Sequence, residues 1–291
     1  MKSFLKMLLK KLTPAAGMAA LLVICGPVFA QQVCEPQNLA SKYPTLVGKV
    51  VKIGADPENP PYVMRDKVHF DKIVGVDAEL AQAVLDCVGV KHEFFLGSWS
   101  GLLPAVMSGQ IEVMWDDLAY RPDRAKSVDY IIYMTAGNAA LVPAGNPKHI
   151  ASIGDICGLS VAYAVGSVEE GFVRKQADEC KGAGKPPVAS MPFQDLAAGL
   201  RLLDSGRADA VMWDLAFIDS MVKDNPKKYA RAFAFNTGVP VGAAVPKNSE
   251  ELRKAIYEGL KIIQANGVQN DIFKKYGVDP GISTSAEIKT Q

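Results

Sequence analysis

From Val50 onward the chain alternates short apolar runs with apolar positions at helical spacing. Val50–Gly54 reads as a strand, and Asp77–Val88 as a helix with Leu80, Val84 and Val88 on one face, stopped by Gly89. His92–Phe95 reads as a second strand, Ser100–Ser108 as a helix with Leu102, Leu103 and Val106 inward, and Ile111–Trp115 as a third strand. The same order restarts near Ser160: strand Val161–Ala164, a helix opening over Val168–Lys175, strand Pro187–Ser190, helix Leu196–Asp204 and strand Ala210–Trp213. Strands separated by helices predict an α/β chain of right-handed βαβ units, with mostly parallel central sheets and helices on both faces. A short echo supports two related lobes: Ser108-Gly109 leads to Val113-Met114-Trp115-Asp116, and Ser205-Gly206 to Val211-Met212-Trp213-Asp214.

Two segments have loop-like composition and predict crossings between the lobes: Leu141–Asn146, with Pro143 and Gly145, and Val239–Ala243, with Pro240 and Gly242. Beyond them Ser249–Asn266 and Gln269–Tyr276 are helical patterns with no strands of their own to cover, so they are expected back on the first lobe. Lobe 1 is then discontinuous, 49–142 plus 243–279. Lobe 2 is 143–242 with the hinge crossings, 31–48 is an N-terminal tail and 280–291 a C-terminal tail. Two lobes on two crossings form a cleft built for hinge closure around a small solute.

Composition changes the picture at the N-terminus. The 32 Lys+Arg and 31 Asp+Glu give +1, but Lys2, Lys6, Lys10 and Lys11 lie among the first thirty residues, which hold no carboxylate; without them 28 face 31, about −3. A lysine-rich start, the apolar run Ala15–Cys25, Pro27 and then Val28-Phe29-Ala30 follow the regions of a secretory signal peptide, with cleavage expected after Ala30. The apolar run is too short for a spanning helix, which needs roughly 20 residues. The remainder, apolar enough for a core and free of low-complexity tracts, reads as a globular exported chain of one to two domains and excludes disordered, fibrous and nucleic-acid-binding classes.

Export leaves Cys34, Cys87, Cys157 and Cys180 in an oxidising compartment, and four cysteines allow three pairings. Cys157–Cys180 is preferred because it closes a modest loop around one supersecondary unit; Cys34–Cys87 would then tie the N-terminal tail to the first helix. The rival reading, a zinc site, lacks a C-x-x-C, and His69, His92 and His149 are scattered, so no metal or cofactor is expected.

In open parallel sheets ligands sit beyond the carboxyl ends of the strands, where Asp56, Asp116, Asp117 and Asp214 fall. Arg121 and Arg124 follow the third strand, and a guanidinium fork suits bidentate capture of a carboxylate. The carboxylates suit an ammonium, so the cleft favours a zwitterion or a cationic amino compound. Gly166-Ser167, before a helix, offers backbone N–H groups to an anion. Tyr62 and Trp99 could pack on an apolar stem or stack on a cation. The plainer alternatives are Arg124 paired with Asp123 or Asp129, Asp116 and Asp117 in a solvated turn or helix cap, Asp214 as cap of a helix beginning at Leu215, and Trp115 and Trp213 as packing residues.

The motifs as a set resemble the family 3 extracellular solute-binding proteins, the polar-amino-acid receptors of ABC importers. Ile53-Gly54-Ala55-Asp56 with Pro60-Pro61-Tyr62 and Val74 to Ala81 resemble the family's opening; Ser98 to Ala105 resembles its next motif, and Arg121-Pro122-Asp123-Arg124-Ala125-Lys126 its Thr-Pro-Glu-Arg-Ala-Lys signature. Asp155 to Gly158, Gly166-Ser167 and Gly206 to Ala210 carry the similarity through lobe 2. The resemblance implies a two-lobed periplasmic binding protein fold of type II, usually monomeric, that delivers a small polar solute to the transmembrane subunits of an ABC permease. It places Arg124 on the ligand α-carboxylate, Asp214 on the α-ammonium, Asp56 toward the side chain of a cationic ligand, Ser167 in the carboxylate turn, and Tyr62 and Trp99 at aromatic contacts. The sequence departs from the family where Asp117 and Ala119 replace small and hydroxyl residues, and where Arg121 replaces Thr and could neutralise Asp116 or Asp117. Two other readings use this fold: a dehydratase with Glu169 or Glu170 as acid, and an accessory protein of a quinoprotein dehydrogenase.

Overall fold

The computed structural model describes residues 33–291; the signal peptide expected over residues 1–30 lies outside them. In chain order the elements are α1 Leu39–Lys42, β1 Val50–Ala55, β2 Glu58–Asn59, β3 Val63–Arg65, β4 Ile73–Val74, α2 Val76–Val88, β5 Lys91–Leu96, α3 Trp99–Met107, β6 Val113–Met114 and β7 Val128–Pro143. The second half holds β8 Ser160–Ala164, α4 Val168–Gly182, β9 Ala189–Phe193, α5 Leu196–Asp204, β10 Ala210–Asp214, α6 Leu215–Asp224, β11 Tyr229–Pro246, α7 Glu250–Ala265, α8 Val268–Tyr276 and β12 Ser283–Lys289.

One sheet runs through both lobes in the order β5-β1-β6-β11-β7-β10-β8-β9, with β12 on β7, while β2, β3 and β4 form a small separate sheet. Within each lobe the strands are parallel as expected: β5, β1 and β6 in the first, β10, β8 and β9 in the second. The middle is antiparallel, because β7 and β11 pair along nearly their whole length, from Tyr229↔Pro143 to Pro246↔Val128. The short sequence echo has a structural counterpart, since β6 and β10 each follow a helix and each lies against one of these two long strands.

The segments expected to cross as loops therefore lie largely in strands: Leu141–Pro143 ends β7 and Val239–Ala243 belongs to β11. Their Pro and Gly are strand residues with reasons. Pro240 follows the register shift between Asn236 and Val239, where a missing N–H is tolerated. A Cβ on Gly242 would stand 2.6 Å from the Ile131 carbonyl oxygen, so only glycine lets the two strands pass. The β7 neighbour on its other side changes from β12, at Tyr130–Met134, to β10 at Asn138–Leu141, which marks the passage from lobe to lobe.

Residues 280–291, expected as a tail, supply β12, which covers the edge of β7 that would otherwise present unpaired backbone groups. Ile111–Trp115 shortens to β6, and the strand expected at Pro187–Ser190 begins at Ala189, past the residue that cannot donate to a ladder. Both preferred bridges form, Cys34–Cys87 and Cys157–Cys180, with Cα atoms 4.6 and 5.7 Å apart. The first pins the segment before β1 to α2. Buried Tyr43 holds the same segment to α7 through a 2.7 Å hydrogen bond to Glu258.

Helices α7 and α8 pack on α2, with Leu252, Ile256, Leu260 and Phe273 in one core with Leu80, Val84 and Val88. The α2–α7 approach is set by Gly259, whose Cβ would lie 2.8 Å from the Val84 carbonyl oxygen and 3.1 Å from two valine methyls. Gly259→Ala should therefore destabilise the protein by about 1–2 kcal/mol through overpacking, although alanine is the better helix former. A thermal melt should show Tm lower by a few degrees, and a rise would show that the helices separate freely.

Candidate functional site

The inward ends of the elements meet around one enclosed cavity of about 20 Å³, lined by Trp99, Asp117 and Ala119 from lobe 1, Ala136 and Asn138 from β7, and Ser167, Val168, Glu169, Trp213 and Asp214 from lobe 2. That space holds roughly one water molecule. Entry of any larger solute requires the lobes to part, and they are in contact here. The Tyr62 hydroxyl donates to Asp214 Oδ1 at 2.9 Å, and Trp213 Nε1 to Asn59 Oδ1 at 3.2 Å. Ser100 Oγ donates to the Gln194 carbonyl at 2.7 Å, and the rings of Trp99 and Trp213 meet edge to face at 5.1 Å. Arg124 reaches across to the Gly166 carbonyl.

Each side chain is held by the local chain. Asp214 closes β10 and caps α6, its Oδ1 accepting the N–H groups of Ala216 and Phe217 at 2.7 and 3.2 Å. Ser167 caps α4 by accepting the Glu170 N–H. Asn138 donates to Glu169, which steers that carboxylate into the cavity. Trp99 is fixed through its backbone N–H to Asp56 Oδ2 at 2.8 Å and its Nε1 to the Asp116 carbonyl at 2.8 Å. Asp117 adopts the left-handed region at φ 46°, held by its N–H on Asp77 Oδ2 at 2.6 Å.

Six carboxylates are buried around this point: Asp56, Asp77, Asp116, Asp117, Glu169 and Asp214. Loss of solvent is the leading cause that raises every one of them. Asp77 and Glu169 are pushed up to about 7, and Asp214 to about 6, with hydrogen bonds from Tyr62, Phe217 and Ala216 holding it down. Asp116 and Asp117 go well above the usual carboxylate range; Asp117 also feels the charges of Asp214, Asp77, Glu169 and Asp116. Asp117 Oδ1 is buried without a hydrogen-bond partner. Burial lowers Arg124, whose guanidinium donates to the carbonyls of Ala119 and Gly166 and lies 5.7 Å over the Trp99 ring.

The structure thus brings Trp99, Asp117, Ser167 and Asp214 onto the cavity, and places Tyr62 and Arg124 against it. Asp56 lies off its lining; it accepts the N–H groups of Glu58 and Trp99 and faces a separate groove with Asp195 and Arg201. Arg121 does not neutralise Asp116 or Asp117. It forks onto Asp123 at 2.7 and 3.0 Å and donates to the Gly166 carbonyl at 3.1 Å, because its neighbour two residues on offers the nearer carboxylate. Asp116 is consumed by the Asp56 N–H and Asn59 Nδ2. Trp115 packs on Tyr133 as a core residue, whereas Trp213 lines the cavity. Asn138 and Asp77 carried no sequence assignment; a polar residue inside the apolar run of β7 was the available signal for Asn138.

Residues 51–279 match the profile of the bacterial extracellular solute-binding proteins, family 3. A probable histidine-binding protein of Neisseria gonorrhoeae is 27% identical over 239 residues, 80% of this chain and 85% of that protein. Among solved structures, an ancestral arginine-binding protein bound to arginine is 32% identical, with a TM-score of 0.70, over 78% of this chain and 97% of that one. The ancestral amino acid-binding protein AncCDT-1, a precursor of cyclohexadienyl dehydratase, is 25% identical with a TM-score of 0.68 over 83% and 98%.

Proposed function

The chain belongs to the bacterial extracellular solute-binding proteins of family 3, and on that premise we propose that it is a periplasmic receptor that captures an amino-acid-like or cationic polar solute between its lobes and presents it to the permease of an ABC importer. The observation that carries this reading is the cavity lined from both lobes and from a crossing strand, bridged by the Tyr62–Asp214 hydrogen bond. Closure of such a cleft is driven only by the difference in solute affinity between closed and open forms. One chain supplies the whole cavity, which fits a monomer. The lysine-rich start, with cleavage expected after Ala30, supports export, and among the described residues no helix is long and apolar enough to cross a membrane.

Binding is then the chemistry, without turnover. The dehydratase reading has one observation in its favour, a Glu169 carboxyl in the cavity raised to about 7, suited to a general acid. A prephenate-like acid brings no cationic group for the Asp214 carboxylate, whereas an amine-bearing solute does, which favours the receptor. Thermal-shift screening against amino acids, amines and betaines should find a stabilising solute, by about 2.7 kcal/mol at a hundred times Kd. No shift with any small solute, or turnover of a prephenate-like acid that Glu169→Gln abolishes, would overturn the receptor reading.

A further inference from the structure

The cavity is short of donors and long on acceptors. The groups that the family resemblance assigns to a ligand carboxylate are already engaged within the protein. Arg124 donates to the carbonyls of Ala119 and Gly166. The Gly166 N–H donates to Glu170 Oε2 at 2.7 Å, so the protein's own carboxylate occupies the anion position at the start of α4. The Ser167 N–H donates to the Ala164 carbonyl at 3.2 Å, and position 119, an alanine, offers no hydroxyl.

The acceptor side is the reverse. Asp117, Glu169 and Asp214 line the cavity with their carboxylates, and Asp117, only 7% exposed, keeps Oδ1 without any hydrogen-bond partner. An unpaired buried oxygen destabilises its site unless something donates to it. Its backbone lies in the left-handed region, where Asp and Asn are enriched among residues that carry a β-carbon. Burial raises all three in the solute-free cleft, and a bound cation favours their ionised forms; once ionised, the three carboxylates against the single guanidinium of Arg124 carry two negative charges. A zwitterion leaves both in place, and a singly cationic amino acid leaves one.

We propose that the cleft selects a solute with two cationic nitrogen groups and no carboxylate, an aliphatic diamine or guanidino-amine, with Asp214 and Glu169 holding one end and Asp117 setting specificity for the other. This rests on the receptor reading of the same cavity. It supplies donors where the protein lacks them and balances the charge without calling Arg124 away from its two carbonyls.

Calorimetric titration at pH 8 with matched pairs isolates the carboxylate: L-arginine against agmatine, L-lysine against cadaverine, L-ornithine against putrescine. The decarboxylated member of at least one pair should bind one-to-one and at least tenfold more tightly than its amino acid. Asp117→Asn, whose side chain tolerates the same backbone, should weaken that amine at least tenfold while leaving the far-ultraviolet circular dichroism unchanged. Tighter binding of the amino acid in every pair that binds, binding of neutral amino acids alone, or unchanged amine affinity in Asp117→Asn would overturn the proposal and leave the receptor standing. Silence from all six compounds and from the wider solute screen would overturn the receptor reading itself.

Discussion

The solute-free protein should lose thermal stability as pH rises from 5 to 8. The six carboxylates around the cleft all have folded-state values above their ordinary ones, chiefly from burial, so the folded form holds protons that the unfolded chain has already released. A raised group contributes stability fully below its unfolded value, near 4, and loses it as pH climbs through its folded value, which is about 6 for Asp214 and about 7 for Asp77 and Glu169. At about 1.4 kcal/mol per pH unit, Glu169 alone accounts for a loss of about 3 kcal/mol across this window, or roughly 6–12 °C in Tm. The carboxylates lowered by exposed partners, such as Asp66, Asp123 and Asp155, act only below the window and pull the other way, toward loss in acid. Melts from pH 5 to 8 should therefore fall, and Glu169→Gln should flatten the slope. A profile that is level or rises to pH 8 would mean that these groups are charged and compensated in the folded state.

That behaviour was only partly legible in the sequence. Helices α2 and α5 were readable to within a residue because their apolar positions recur at helical spacing and Gly89 stops the first. The crossings were misread as loops because Pro240 and Gly242 are loop residues by composition. In the fold one sits by a register shift and the other makes room for Ile131, and both reasons depend on a strand more than a hundred residues away. The same limit applies to the site. Asp117 and Asp214 could be placed at strand ends, but Asp77 reads as an ordinary acidic residue in a first helical turn, and only packing shows it buried beneath Asp117 and Tyr133. The donors told a similar story: the sequence put Arg124 and the Gly166-Ser167 turn in the cleft, and gave no sign that Glu170 would take the turn for itself.

Asp214→Ala should abolish solute binding in practical terms, with affinity down at least a hundredfold. Truncating one partner of a buried, hydrogen-bonded charge pair costs roughly 2–5 kcal/mol. The Asp214 carboxylate both lines the cavity and bridges the lobes through Tyr62. The substitution should lower stability too, since the Tyr62 hydroxyl and the N–H groups of Ala216 and Phe217 lose their acceptor, a cap worth about 1 kcal/mol. Asp214→Asn separates the two effects. Asparagine caps a helix nearly as well as aspartate, so stability should stay close to that of the wild type while the attraction for a cation is lost.

The most direct measurement is therefore equilibrium titration of wild type and Asp214→Asn, side by side, with the solute ranked first by the thermal screen. If the cavity between the lobes is the receptor site, wild type saturates at one solute per chain and Asp214→Asn, equally well folded, binds at least a hundredfold more weakly. Equal affinity in the two proteins would place the solute elsewhere and contradict the site.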